Sequence, residues 1–146
     1  MPKFPIKFEV LSQSKEGVSS LWESRVNSLE PIKCSIPTDF NGPGGGYTPE
    51  DLFALSVLNC FIAMFKVHAE KSNLSFSEIK GSAVVTMDSD PNINKISLTE
   101  LNISIDILGA QDEAKAKELI DFCIENCPVG NSIKTGKIFH VNINKE

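Results

Sequence analysis

The chain has 146 residues, of which 41% are hydrophobic and 23% are charged. This size and balance are typical of one soluble globular domain with a sizeable core, so we predict a single domain over residues 1–146. The formal net charge of −5 argues against an extended phosphate-binding surface, and nucleic acid is therefore not an expected partner. The N-terminus has no basic segment followed by an apolar one, so no secretory signal is evident and we expect a cytoplasmic protein.

The N-terminal third of the chain shows the alternation of strands. Apolar residues alternate with polar ones or proline from Phe4 to Val10, which predicts a first strand with one buried face. Weaker alternation follows around Trp22, and a third run covers Ile32 to Ile36. Cys34 faces inward in this run, where a free cysteine packs as a small hydrophobe.

The segment from Tyr47 to Lys71 is predicted to form one long helix. Thr48 suits the N-cap, Pro49 suits the first helical position, and the glycine-rich segment 41–46 ends the preceding sheet. The run from Leu52 to Phe65 is almost wholly apolar, which predicts a helix buried in a core. It is shorter than the roughly 20 apolar residues that span a bilayer, so no membrane is expected. The side chain of Cys60 should therefore be deeply buried in the core.

The C-terminal half alternates between strands and a helix. A strand over residues 79–87 and a turn at 89–92 predict a hairpin, and a change of phase in the return strand predicts a β-bulge near Thr99-Glu100. Residues 112–126 form an amphipathic helix, and Pro128 starts a short helix that leaves Cys127 at the joint. Phe139 to Ile143 form the last strand.

This order, β-β-β-α-β-β-α-β, predicts an α+β fold with antiparallel sheets around a long buried central helix. A helix so apolar needs cover on every side, and two substantial helices in one chain do not supply it. We therefore expect a homodimer with an intimate interface.

Four cysteines, Cys34, Cys60, Cys123 and Cys127, carry most of the reactive chemistry in the sequence. Permanent disulfides are not expected in a reducing compartment, which leaves redox, metal-binding and packing roles. The amides of the short helix could stabilise a thiolate at Cys127, whereas inert packing is the alternative for both Cys60 and Cys127. Cys123 is expected to pack, because neighbours four apart on a helix are too distant for a disulfide. Neither His68 nor His140 has a metal spacing with the cysteines.

Two segments together resemble the paired signatures of the OsmC/Ohr family of thiol-dependent hydroperoxide reductases. The first runs from Tyr47 to Phe53 and leads into Asn59-Cys60-Phe61, and the second is Cys127-Pro128-Val129-Gly130-Asn131-Ser132-Ile133-Lys134. They stand in the family's order at a similar separation. The resemblance implies an α+β fold, an intertwined homodimer, and no metal or flavin.

The resemblance also assigns roles to residues. Cys60 would be the peroxidatic cysteine, Cys127 the resolving one, and Glu50 the acidic member of the site. Ten helical residues span about 15 Å, so Glu50 either serves a second copy's site or belongs to an irregular first turn, and helix-start electrostatics is the alternative. The family's arginine would fall near Ser19, whereas the one arginine here is Arg25. Either Arg25 reaches the site from another strand position or it is a solvated surface residue.

The implied activity is reduction of organic hydroperoxides to alcohols, with regeneration by an external dithiol of lipoyl type or by another small thiol. Phe53, Phe61 and Phe65 are candidates for an apolar substrate pocket, with core packing as the alternative. A thiol among apolar groups should prefer organic hydroperoxides to hydrogen peroxide. The competing interpretations are a redox sensor or binding module with the same cysteine pair, and an inactive structural member of the fold.

Overall fold

The structure, a computed structural model, describes residues 2–144, and these form two compact units that meet in sequence between Leu52 and Phe53. The first unit contains the antiparallel strands β1 (Leu11–Gln13), β2 (Trp22–Arg25) and β3 (Ile32–Cys34), and a short 3-10 helix, Thr38–Phe40. Helix α1 (Pro49–Lys71) begins in the first unit and continues in the second. The second unit adds β4 (Glu78–Asp90), β5 (Lys95–Leu108), α2 (Glu113–Asn126), a 3-10 helix (Gly130–Ser132) and β6 (Gly136–Asn144).

The predicted element order and the α+β class are confirmed, but the first strand is not where we predicted it. Residues 4–10 lie outside β1, and their apolar side chains are exposed, with Phe8 at 90%. Alternation indicates an extended chain with one apolar face, whereas strand formation also needs a neighbour. Within residues 2–144, β1 pairs with β2 only from Leu11, opposite Arg25.

Glycine allows very close backbone packing before α1. A Cβ on Gly42 would stand 1.8 Å from the carbonyl oxygen of Ile36, and one on Gly46 would stand 2.8 Å from the carbonyl carbon of Cys34. These are distances that no side chain tolerates. The glycines let the chain fold back on β3, and Tyr47 bridges to Cys34 there.

Helix α1 starts where the sequence predicts. The backbone N–H of Asp51 donates to Thr48 Oγ1 at 3.1 Å, and the N–H of Thr48 donates to Asp51 Oδ2 at 3.0 Å, a reciprocal cap. By length and composition alone this helix could cross a membrane. Phe61 and Phe65 are nevertheless fully buried in the core of the second unit.

The expectation that α1 has no solvent face is wrong for the single chain. One side carries a row of exposed residues, namely Leu55, Ser56, Asn59, Ala63 and Val67. Val67 retains 48% of its exposure. The core covers only the opposite side of the helix.

The second sheet has the order β4-β5-β6. The predicted bulge is confirmed, because Thr86 pairs with Glu100 while Met87 pairs with Leu98, which leaves Thr99 unpaired in the register. One pairing differs from the antiparallel arrangement we predicted, since β6 runs parallel to β5. The crossover through α2 returns the chain to the same end of the sheet, and such connections produce parallel neighbours.

The core of the second unit lies between the sheet and the two helices. Strand β5 contributes four fully buried residues, and α2 contributes its apolar stripe, which was also predicted. Asp112 caps α2 by accepting the N–H of Lys115 at 3.0 Å. The residues from the strand and helix are Leu101, Ile103, Ile105 and Ile107 from β5, and Ala116, Ile120 and Cys123 from α2. This packing holds the end of α2 against the middle of α1, where the thiols lie.

Candidate active site

The fold brings Cys60 and Cys127 together, although 67 positions separate them in the chain. Cys60 is in the middle of α1, and Cys127 is the C-cap of α2. The side chain of Cys127 is close enough to the Cys60 thiol to raise the pKa of Cys60, and both residues are free thiols. Their sequence spacing gave no reason to connect Cys60 with Cys127. Only the family resemblance implied that the two cysteines act as a pair.

A compact turn over residues 127–132, the 127–132 turn, supplies backbone donors to both sulfurs. The N–H of Gly130 donates to Cys127 Sγ at 3.4 Å, and the backbone of Val129 acts to lower the pKa of Cys60. Pro128 ends α2 because it disfavours helical geometry at Cys127, whose ψ is 114°. Backbone amides of consecutive residues therefore lie beside the two thiols, an arrangement that suits a developing thiolate.

Cys60 is half-buried, not deep as the sequence predicted. Its position on α1 lies between the covered side of the helix and the exposed row. Burial and the hydrogen bond with Cys127 nevertheless raise the pKa of Cys60 to about 11, and the Val129 amide opposes this increase. The protonated thiol is thus favoured in the single chain, while the sulfur keeps a route to solvent.

Cys123 is a third thiol next to this pair. It is fully buried in the core, and burial, with smaller contributions from the charges of Cys127 and Cys60, raises the pKa of Cys123 to about 11. Its burial agrees with the packing role that we predicted. Cys34, in the first unit, is also buried and donates to Ser24 Oγ at 3.3 Å.

Glu50 and Arg25 both belong to the first unit. Glu50 lies in the first turn of α1, and its Oε2 is buried with no hydrogen-bond partner among the described residues. An unpaired buried carboxylate oxygen is costly and calls for a donor. Arg25 is exposed at the end of β2 and lines an open cavity of about 650 Å³. Ser19, near the position where the family's arginine was expected, is exposed in the turn after Gly17.

The aromatic residues of α1 divide between core and surface. Phe61 and Phe65 stack in the core with ring centroids 6.3 Å apart, and Phe61 also contacts Phe139 of β6 at 6.0 Å. Packing, not a pocket, is therefore their role in the second unit. Phe53 lines an open cavity of about 730 Å³ together with Ile93, Leu98 and Ile133.

One residue at the site was missed in the sequence. Lys137 of β6 donates from Nζ to the carbonyl oxygen of Gly130 at 2.8 Å. Its signal was available, because the alternation that places Phe139 inward extends back by two residues to Lys137. Among residues 2–144, no cluster of histidine, cysteine and carboxylate side chains could hold a metal ion.

The two neighbouring free thiols, carried on an α+β fold, form a candidate site for thiol redox chemistry. The sequence model of OsmC-like proteins matches residues 42–142, so the chain belongs to the OsmC-like family. It is 32% identical over 108 residues to the organic hydroperoxide resistance protein of Xanthomonas axonopodis pv. citri, covering 70% of each chain. The protein of the same name from Xanthomonas campestris pv. phaseoli matches equally well.

Solved structures support the same fold. An OsmC-like protein of unknown function from Vibrio cholerae superimposes with a TM-score of 0.83 at 14% identity, over 94% of this chain and 99% of the other. An organic hydroperoxide resistance protein from Legionella pneumophila gives a TM-score of 0.67 at 18% identity, over 96% and 99% of the two chains. At these identities the likeness shows the fold alone.

Proposed function

We propose that this protein is a thiol-dependent peroxidase that reduces organic hydroperoxides to alcohols. The observation that carries the proposal is the proximity of the Cys60 and Cys127 thiols beside a turn whose Gly130 amide donates to Cys127 Sγ. Relatives named organic hydroperoxide resistance proteins support the substrate class.

The reaction begins at Cys60, the more exposed thiol of the pair. Its thiolate attacks the terminal oxygen of ROOH, the O–O bond breaks, and the alkoxide leaves as ROH after taking a proton. Cys60 is now a sulfenic acid. The sulfur of Cys127 attacks it, a disulfide forms, and water leaves. An external dithiol of lipoyl type then reduces the disulfide by thiol exchange and becomes a disulfide itself.

A pKa of about 11 leaves little Cys60 thiolate near neutral pH. Turnover therefore requires a positive charge near the sulfur that stabilises the thiolate. We propose that Arg25 supplies it and that Glu50 holds Arg25 in place, with Arg25 as the donor for the Glu50 oxygen that has no partner among the described residues. The second copy of a homodimer would complete such a site. The exposed apolar residues of α1, and separately those of residues 4–10, support dimer formation. Free thiols support a cytoplasmic location.

The test is continuous oxidation of dihydrolipoamide with cumene hydroperoxide or hydrogen peroxide as the oxidant. We expect turnover with a preference for cumene hydroperoxide, and a Cys60–Cys127 linkage in the mass of the oxidised protein. Cys60→Ser should abolish turnover, whereas Cys123→Ala, which removes a neighbouring thiol, should retain it. Arg25→Gln and Glu50→Gln should each slow the reaction.

Other outcomes identify the competing functions. A Cys60–Cys127 linkage without continuous turnover would indicate a redox sensor. An unreactive Cys60 would indicate a structural member of the fold, and equal rates with both oxidants would remove the basis for the organic preference. A monomer at micromolar concentration in equilibrium sedimentation would contradict the dimer.

A further inference from the structure

Lys137 is an unusual residue for its position. It lies on the core-facing side of β6, in phase with Phe139, and is half-buried. Its ammonium donates to the backbone carbonyl of Gly130 at 2.8 Å, whereas the one ion pair recorded within residues 2–144 joins Lys80 to Glu78. Withdrawing an ammonium from water costs free energy unless it is hydrogen-bonded. The Lys137 ammonium is therefore hydrogen-bonded to a single peptide carbonyl.

That peptide group belongs to the most adaptable residue of the 127–132 turn. Gly130 has no side chain to fix its backbone, and glycine populates more conformations than any other residue. Bonds within the turn also hold this region, since the N–H of Asn131, in the same peptide unit as the Gly130 carbonyl, donates to the Cys127 carbonyl at 2.9 Å, and the N–H of Ser132 donates to the Val129 carbonyl at 3.1 Å. Lys137 adds a bond from outside the turn, from a strand whose register against β5 is fixed.

The 127–132 turn also lies beside both sulfurs of the site. Gly130 itself donates to Cys127 Sγ, and the backbone of Val129, the residue before it, favours the Cys60 thiolate. If the Gly130 carbonyl is released, its peptide keeps only the bond from the Asn131 N–H, so the turn that carries the two amides is held less firmly. A Cβ on Gly130 would lie 3.5 Å from Cys127 Sγ and 3.8 Å from Cδ of Lys137, so the lysine stem and the sulfur flank the same glycine.

We infer that Lys137 is a positioning residue for the thiol pair, because it holds the Gly130 carbonyl and so keeps the amides of Val129 and Gly130 directed at the sulfurs of Cys60 and Cys127. This inference adds a residue to the proposed function, and the effect of Lys137 on turnover rests on that function. The positioning itself is a property of the reduced protein. It can be measured without peroxide.

The experiment measures the alkylation rate of Cys60 by iodoacetamide from pH 7 to 11, with site-resolved mass spectrometry, in the reduced full-length protein. Lys137→Met keeps most of the aliphatic stem and removes the donor. We expect it to lower the Cys60 rate about tenfold at a fixed pH below the thiol pKa, because the thiolate loses an amide hydrogen bond. Lys137→Arg should restore most of the rate. Lys80→Met, an exposed lysine on a strand, is the matched control and should leave it unchanged.

A purely structural lysine would lower the melting temperature without moving the pH profile of Cys60, and an unchanged profile in Lys137→Met would overturn the inference. If Lys137→Met does not fold, Lys137→Arg and Lys137→Gln decide the question. The inference requires faster alkylation in the arginine variant, and equal rates would refute it. A wild-type protein that shows no peroxide turnover refutes the proposed function alone, since the alkylation series does not depend on it.

Discussion

Replacing Cys127 should make Cys60 more reactive toward alkylation. The hydrogen bond with Cys127 is the second largest cause, after burial, of the raised pKa of Cys60, and the charge of Cys127 acts in the same direction. Cys127→Ala removes both contributions and leaves the Val129 amide, which favours the thiolate. The pKa of Cys60 should therefore fall, although burial keeps it above the ordinary value.

The size of the effect follows from the single hydrogen bond that is lost. A net hydrogen bond contributes about 0.5–1.5 kcal/mol, and about 1.4 kcal/mol corresponds to a tenfold change in ionisation. Alkylation of Cys60 at a fixed pH near neutrality should accordingly rise about twofold to tenfold, since the thiolate is the nucleophile.

The assay compares Cys60 alkylation in wild type, Cys127→Ala and Cys123→Ala under reducing conditions. Cys123→Ala is the matched control because it removes a thiol four residues earlier on the same helix that is not among the causes of the Cys60 shift. Its rate should equal that of wild type. Slower alkylation in Cys127→Ala, or equal acceleration in both variants, would refute the reasoning.

Two further predictions concern stability. Because the folded pKa values of Cys60 and Cys123 lie near 11 and the ordinary value is 9.0, their contribution to stability is complete below pH 9 and is lost as pH rises through 11. Urea unfolding at pH 8, 9 and 10 should show the loss, at most about 1.4 kcal/mol per pH unit for the fully buried Cys123 and less for the half-buried Cys60, which solvent screens. Cys123→Ala should show a shallower decline. Gly42→Ala should destabilise the protein by more than about 3 kcal/mol because its Cβ would stand 1.8 Å from the Ile36 oxygen. Gly136→Ala, whose nearest atom would be 3.5 Å away, should melt close to wild type, and similar melting of both variants would contradict the steric argument.

The local features of the fold could be predicted because they depend on neighbouring residues. The cap at Thr48 and the bulge at Thr99 both follow from short patterns, one of residue type and one of phase. The parallel direction of β6 could not be obtained in this way, since it depends on which strand it pairs with. Residues 4–10 show the same limit, because alternation does not say whether a partner strand is present.

The candidate site, too, could be predicted only in part from the sequence. The resemblance placed Cys60 and Cys127 together, and the structure has them in contact. The depth of Cys60 was overestimated because an apolar helix was assumed to be covered all round, while one side of α1 is exposed in the single chain. Lys137 escaped notice because the last strand was predicted to begin two residues later, at Phe139, and no local pattern connects a lysine to a distant carbonyl.

The parallel pairing of β6 with β5 constrains how the chain can change in length. Gly136 is opposite Glu100 and Lys137 is opposite Leu101, while the N–H of Gly109 is bonded to the carbonyl of Asn144 at 2.9 Å, so both ends of the strand are tied. A one-residue insertion or deletion that shifted the register would turn every side chain of β6 to the other face. Phe139 would then leave the core and Lys137 would leave Gly130 in the same step. The connector at residues 133–135 is thus a surface segment whose length, more than its composition, links the stability of the sheet to the geometry of the thiols.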